Sequence, residues 1–335
     1  MPLAASAVAA VAGLLLAATP APPQVVLTLQ DPTLVESSGL AVSATHPGVL
    51  WTHNDGGSVA QVMAVDQQGS TVATVTLAGV DPYDPEALAP GTDDRGRATL
   101  YLGDIGDNLR ERPDVSVFRF REPTRLADAT VPARWYRFTY PDGPHDAEAL
   151  LVDADGRIMV ATKEFAGAAL YRAPRTLVTE GQGTNVLTRL AGVPSLVTDG
   201  AYLPDGRFVL RTYTSVYLYD RPGHEVARAS LPPQPQGESV AADGDRLLVG
   251  SEGVRSTVLA VPVPGPSPAA SPPAASSPAA SSPATSSPSA SVTSATDSVG
   301  SGTGTATTVF RVLGLGVLLG GLVVVLARRR AGRSH

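Results

Sequence analysis

The 335-residue chain contains no cysteine, so neither disulfides nor thiolate chemistry is open to it. Lysine is almost absent as well. Lys163 stands alone among 25 cations and the rest are arginines, a bias of coding composition more than of chemistry. No G-x-S-x-G elbow and no H-E-x-x-H pair occurs, which removes the serine hydrolases and zinc proteases that carry those motifs. No EF-hand loop is present either: GDIGDN, residues 103–108, has acids at Asp104 and Asp107 but not the spacing that such a loop needs. Between about Gln24 and Pro262 there is no convincing amphipathic helix.

Two apolar stretches bracket the chain. Leu3–Ala18 is an Ala/Leu run followed by small residues near Ala18 and Ala21, which reads as a signal peptide over residues 1–21, although it lacks a basic start. Val312–Ala327 is apolar, and Arg328, Arg329, Arg330 and Arg333 follow it. With Arg311 snorkelling, residues 309–328 are expected to form a single membrane-spanning helix, with the basic tail, residues 329–335, on the cytoplasmic side. Residues 263–308 are dominated by Pro, Ala, Ser and Thr. They cannot bury enough apolar surface to fold, and they read as an extended stalk. Together these features predict a body at residues 24–262 held at the cell surface, facing outward and monomeric.

The charge of that body differs from the charge of the chain. Five of the 25 cations lie in the tail and anchor, and one of the 31 acids, Asp297, lies in the stalk. The body therefore carries 20 cations against 30 anions, a net of −10. Such a balance argues against nucleic-acid binding and favours cations or cationic groups as partners.

Within the body a pattern recurs. An acid or serine precedes a small apolar run in SSGLAV, PEALAP, AEALLV, TDGAYL and GESVAA. Each is followed by a second run: VLWTHND, TLYLGDI, RIMVATKE, RFVLRTY and RLLVGSE. In three units the join is a tight Asp/Gly turn before Arg, as in DADGR, which connects antiparallel hairpins. Two further strands follow in most units, but the fifth lacks its last. VVLTLQ, residues 25–30, has no partner of its own and is placed to supply that strand. The repeat predicts an all-β chain, a β-propeller of five blades closed by an N-terminal strand. The long second unit leaves six blades open, and a β-sandwich is the rival that does not explain the repeat.

In a propeller the start of each inner strand and the end of its neighbour share one face. The acids should therefore meet at the channel mouth. The expected metal-ligating set is Glu36, Asn54, Asp55, Glu86, Asp104, Asp107, Glu148, Glu238 and Glu252, with Asp199 as the fourth unit's equivalent. Oxygen donors from several blades suit calcium, which accepts six to eight of them in flexible geometry. The alternative for each acid is a strand cap or an ion pair at the surface. Lys163, Arg211 and Tyr213 are candidates to hold an anionic ligand. His53, Glu148 and Glu238 are the candidates for a catalytic base.

The motif pairs ESSGLA with LWTHND, DPEALA with LYLGDIGDN, DAEAL with ATKE, and GESVA with GSEG resemble the exported propellers of the phytase-like esterase group. More distantly they resemble the gluconolactonase and paraoxonase type. The resemblance covers roughly residues 25–262. It implies that Glu36, Glu86, Glu148 and Glu238 lie near the axis, that Asn54 is a metal ligand and that calcium sits in the tunnel. Three functions follow as expectations. The first is a surface-anchored module that binds a ligand or an envelope or wall component. The second is a metal-dependent hydrolase of esters, lactones or phosphoesters. The third is a purely structural envelope protein.

Overall fold

The computed structural model describes residues 23–56 and 59–265, and among these every regular element is a strand. The expected signal peptide, anchor helix, basic tail and nearly all of the stalk lie outside the described residues.

Five antiparallel sheets follow one another along the chain. Blade one is built from Ser37–Val42, Leu50–Asn54, Gln61–Val65 and Thr71–Ala78, and blade two from Pro85–Thr92, Ala98–Asp104, Val115–Arg121 and Arg134–Thr139. Blade three holds Ala147–Val152, Ile158–Thr162, Ala169–Arg172 and Thr188–Gly192. Blade four holds Val197–Tyr202, Phe208–Thr212, Ser215–Arg221 and His224–Ser230. Blade five has Gly237–Asp243, Arg246–Ser251 and Thr257–Pro262, and Gln24–Thr28 completes it by pairing antiparallel with Thr257–Pro262. The predicted five-bladed ring and its N-terminal closing strand are both present.

The length of the second unit has a different cause from the one that left six blades open. Its extra strand, Ala129–Pro132, crosses back to pair parallel with Thr71–Ala78 at the outer edge of blade one. In the same way Asn185–Val186 reaches from unit three to the edge of blade two. NVLTRLAG, which reads as one strand, is thus divided between two blades. Each added strand covers an edge that would otherwise offer unpaired N–H and C=O groups.

Burial follows position in the blade. Inner strands such as AEALLV are buried throughout, and they are rich in Ala and Gly because five of them crowd one axis. Outer strands alternate: in Thr71–Ala78 the buried residues are Ala73, Val75 and Leu77. The core is not one mass but five, one between each pair of neighbouring blades. Trp51, Val62, Leu100 and Phe118 pack between blades one and two, and Leu40, Met63, Leu248 and Val258 close the ring between blades five and one. The inner hairpins turn on a repeated device. Asp93 Oδ1 accepts the N–H groups of Arg95 and Arg97, and Asp153 Oδ1 accepts those of Asp155 and Arg157. Gly96 and Gly156 take φ values of 71° and 74°, which the turn requires and which side chains with a Cβ resist.

Glu122 fastens blade two to blade one. Its buried carboxylate accepts from Trp51 Nε1 at 2.9 Å, from the Ser43 hydroxyl, and from Ala44 N at 3.2 Å. Removing it leaves several buried donors without partners, at about 1–3 kcal/mol each where water cannot reach them. Glu122→Ala is expected to lower the unfolding free energy by roughly 3 kcal/mol, against under about 1 kcal/mol for Glu122→Gln, which keeps one acceptor. Urea denaturation of the two variants checks this, and an equal loss in both would contradict the clamp.

Candidate functional site at the channel mouth

All five inner strands open with the same irregularity. Pairing with the second strand begins at Ser37, Pro85, Ala147, Val197 and Gly237, then slips before it resumes. The breaks contain Ser38 with Gly39, Glu86, Glu148, Thr198, and Glu238 with Ser239. An extra residue bends the strand and re-aims its side chain, and here it delivers one polar group per blade to the top of the channel. The fourth position belongs to Thr198, not to Asp199 as the sequence suggests. In the two blades without a glutamate the hydroxyl bridges to the next blade: Ser38 Oγ donates to Glu86 O and Thr198 Oγ1 to Glu238 O, both at 2.8 Å.

Three carboxylates converge most closely. Asp55, Asp84 and Glu86 each offer an oxygen within 4.8 Å of the others, and Asp84 and Glu86 are buried. Gly106 lies directly against them, and a Cβ there would overlap Asp84 Oδ2 and Glu86 Oε1. Sequence reasoning missed Asp84. The signal was available in DPYDPEALA, where it stands two residues before Glu86. Across the channel Lys163 Nζ pairs with Glu148, and its ammonium stands 5.2 Å from the ring centre of Tyr213. Glu238 Oε1 accepts from Gln236 at 3.3 Å, while its Oε2 is buried with no hydrogen-bond partner. Gln236 also bonds Glu252.

The charges oppose one another. Burial pushes the Glu86 carboxyl well above the usual range, and Asp55, Asp84 and Glu148 add to it. Burial likewise raises Glu148, against the pull of Lys163. Burial works against the charge on Lys163, yet Glu148 and Glu238 hold its pKa well above the lysine range. Glu252 is pushed up to about 9 by burial and by the neighbouring Glu238 and Asp55.

Other expected ligands serve the walls. Asp104 accepts from the N–H groups of Tyr83 and Asp84 and from Arg112, so it positions Asp84 rather than facing the channel. Asp107 accepts from the N–H groups of Glu111 and Arg112. Asn54 spends its amide on Glu36 N and Thr33 O, which holds the loop that carries Glu36. Arg211 is fully buried and donates to Ser239 O, Gly250 O and Gln234 Oε1, clipping blade four to blade five. Asp199 does the same by accepting from Val240 N. His53 is buried beside Gly39, and loss of solvent lowers its pKa to about 4, so its ring is neutral. Beside the mouth, His145 is held between Glu164 at 2.7 Å and Asp142 at 3.1 Å, a pairing that the repeat pattern did not flag.

Below the mouth the channel turns apolar. Leu40, Leu88, Leu150, Ala201 and Val240, one from each blade, line a cavity of about 300 Å3.

No family model matches this chain, and no curated protein matches it. Solved structures to which it is similar include a gluconolactonase from Xanthomonas campestris, at 13% identity and a TM-score of 0.40, over 74% of this chain and 96% of that one. Others are the PQQ-bound aldose sugar dehydrogenase from Streptomyces coelicolor, at 13% identity and TM-score 0.38, over 71% of this chain and 96% of that one. A virginiamycin B lyase from Staphylococcus aureus matches at 9% identity and TM-score 0.37, over 68% and 96%. At this level of likeness no residue role is carried across.

The raised carboxyls set a pH dependence. A carboxyl that holds its proton more tightly in the folded chain favours folding at low pH and loses that advantage as pH rises through its folded value. For Glu252 the window runs from the ordinary 4.5 to about 9. In a chelating buffer the melting temperature is expected to fall across that window, and Glu252→Gln should flatten the fall. A parent profile that rises from pH 5 to 9 would contradict this.

Proposed function

We propose that the channel mouth is a calcium-binding site and that, with the loops around it, it forms the ligand-binding face of a surface-anchored module. The observation that carries this is the convergence of Asp55, Asp84 and Glu86 within 4.8 Å. The donor set fits the ion. It is made only of oxygens, and Gly106 leaves room for the carboxylates where a side chain would displace them. Asp55, Asp84 and Glu86 would hold the ion, which would offset their mutual repulsion and present a positive centre to an oxygen-bearing ligand.

The surrounding surface favours binding over a purely structural role. Of nine large exposed hydrophobic residues among those described, six lie on loops of this one face: Val35, Val59, Tyr83, Leu109, Phe165 and Val254. Phe165 is 80% exposed. Such a crown around a polar centre is the arrangement of an interaction site. A wall or envelope component held against this crown, presented outward by the stalk and the apolar C-terminal segment, is the partner we propose.

A second reading, metal-dependent hydrolysis of an ester, lactone or phosphoester, draws on the Lys163–Glu148 pair and the unpartnered Glu238 oxygen. In that reading Glu238 is the base, and Lys163 and Tyr213 hold the substrate.

Calcium at 100 times its Kd is expected to stabilise the protein by about 2.7 kcal/mol, or roughly 5–10 °C in melting temperature. Chelation should reverse the shift, and Asp84→Asn with Glu86→Gln should abolish it. An unchanged melting curve with calcium and with chelator removes the proposal. Calcium-dependent turnover of a model ester or lactone that is lost in Glu238→Gln would replace the binding reading with the second.

A further inference from the structure

At the end of blade two away from the mouth, the charge is locally reversed. In a body with a net charge of −10, Arg95, Arg97, Arg119, Arg121 and Arg134 line a single cleft of about 490 Å3 at the lower end of blade two. Phe120, Pro132 and Ala133 form its apolar wall, and Asp93 and Asp94 stand at its rim. Asp93 is already engaged: Arg97 Nε reaches its Oδ2 at 2.6 Å, and its other oxygen accepts two backbone N–H groups. Of the five arginines, Arg97 alone makes an ion pair among the described residues.

The strand register puts these cations together. Arg134 lies directly opposite Arg119, and Arg121 opposite Thr99. They share a face of the sheet with Val115 and Val117, which are buried against blade three. The first three strands of blade two run eight, seven and seven residues against six, five and four in blade three. The lower end of blade two therefore outruns its neighbour's cover, and the arginines stand where that cover stops. Like charges directly opposite one another destabilise a sheet; the Tyr136 ring, 5.9 Å from the Arg119 guanidinium, steadies that one charge, and no such ring contact accompanies Arg121 or Arg134 among the described residues. A second observation points the same way. Thr99 lines the cleft, is only 3% exposed, and its hydroxyl is buried with no hydrogen-bond partner. A buried polar group without a partner is costly unless a ligand supplies one.

We propose that this cleft binds a ligand carrying at least two phosphate groups, gripped by the guanidinium forks of Arg119, Arg121 and Arg134 and by the Thr99 hydroxyl. Planar guanidinium groups match phosphate oxygens two at a time, which a lysine cluster does not. Four arginines without an ion pair exceed the charge of a single phosphate, so an oligophosphate or a phosphorylated polymer fits better than one phosphate ion. This site is separate from the channel mouth and needs no calcium.

The test is calorimetric titration of the full-length chain with tripolyphosphate and with inorganic phosphate, in chelator and at low salt. Saturable binding of tripolyphosphate is expected, stronger than that of phosphate and weakening as salt rises. Arg119→Gln with Arg134→Gln should weaken it at least tenfold, while Arg228→Gln, on blade four, leaves it unchanged. Without ligand the double variant should melt no lower than the parent, which a purely structural role for these arginines would not give. If the double variant fails to fold, Thr99→Val decides: an affinity loss of threefold or more supports the site and no loss overturns it. Sedimentation with phosphatidylglycerol vesicles, in competition with tripolyphosphate, separates lipid from soluble phosphate as the source. No saturable binding of either anion, or binding indifferent to the double variant, overturns the proposal.

Discussion

The structure depends on one local event repeated five times, the bulge that opens each inner strand. A regular strand would alternate its side chains between the two faces of the blade and bury them between neighbours. The bulge breaks that alternation at one residue and turns Ser38, Glu86, Glu148, Thr198 and Glu238 toward a shared axis. The two hydroxyls bridge to the next blade. The three glutamates are left crowded in a space that burial makes unfavourable for charge. The rest of the mouth answers that crowding.

Acidic residues near the mouth divide by what they accept. Asp104, Asp107 and Asp199 are filled by backbone N–H groups, and Asp104 by Arg112 as well. Their negative charge holds loops and joins blades. The acid-rich end of LYLGDIGDN is therefore mostly scaffold: Asp104 sets Asp84 in place, and Gly106 makes room for it and for Glu86. Arg211 and Glu122 do comparable work inside the walls, one between blades four and five and the other between blades one and two. A buried charge that is hydrogen-bonded to the neighbouring blade fixes the angle between the two, and that angle aligns the ring.

The channel mouth and the cleft of blade two gather opposite charges for different structural reasons. At the top, acids are gathered by the convergence of five inner strands. At the bottom, arginines are gathered on one sheet whose strands outrun those of its neighbour. An acidic protein with one basic cleft has a local exception to its overall potential, set apart from the acidic mouth.

The repeat of acid, short strand, turn and strand was enough to indicate five blades and a closing N-terminal strand, because alternation and turn chemistry act over a few residues. The same pattern placed Glu86, Glu148, Glu238 and Lys163 at the mouth. Asp84 stands in DPEALA as Asp146 stands in DAEAL, yet only packing brings Asp55 to it from another blade. The roles of Asp104, Asn54 and Arg211 were also beyond local reading, since a side chain's partner is set by which backbone groups packing brings near it. The crossing strands Ala129–Pro132 and Asn185–Val186, and the opposition of Arg119 to Arg134, depend on register. Hydrogen bonds between strands distant in sequence decide register, and only the closed ring brings those strands side by side.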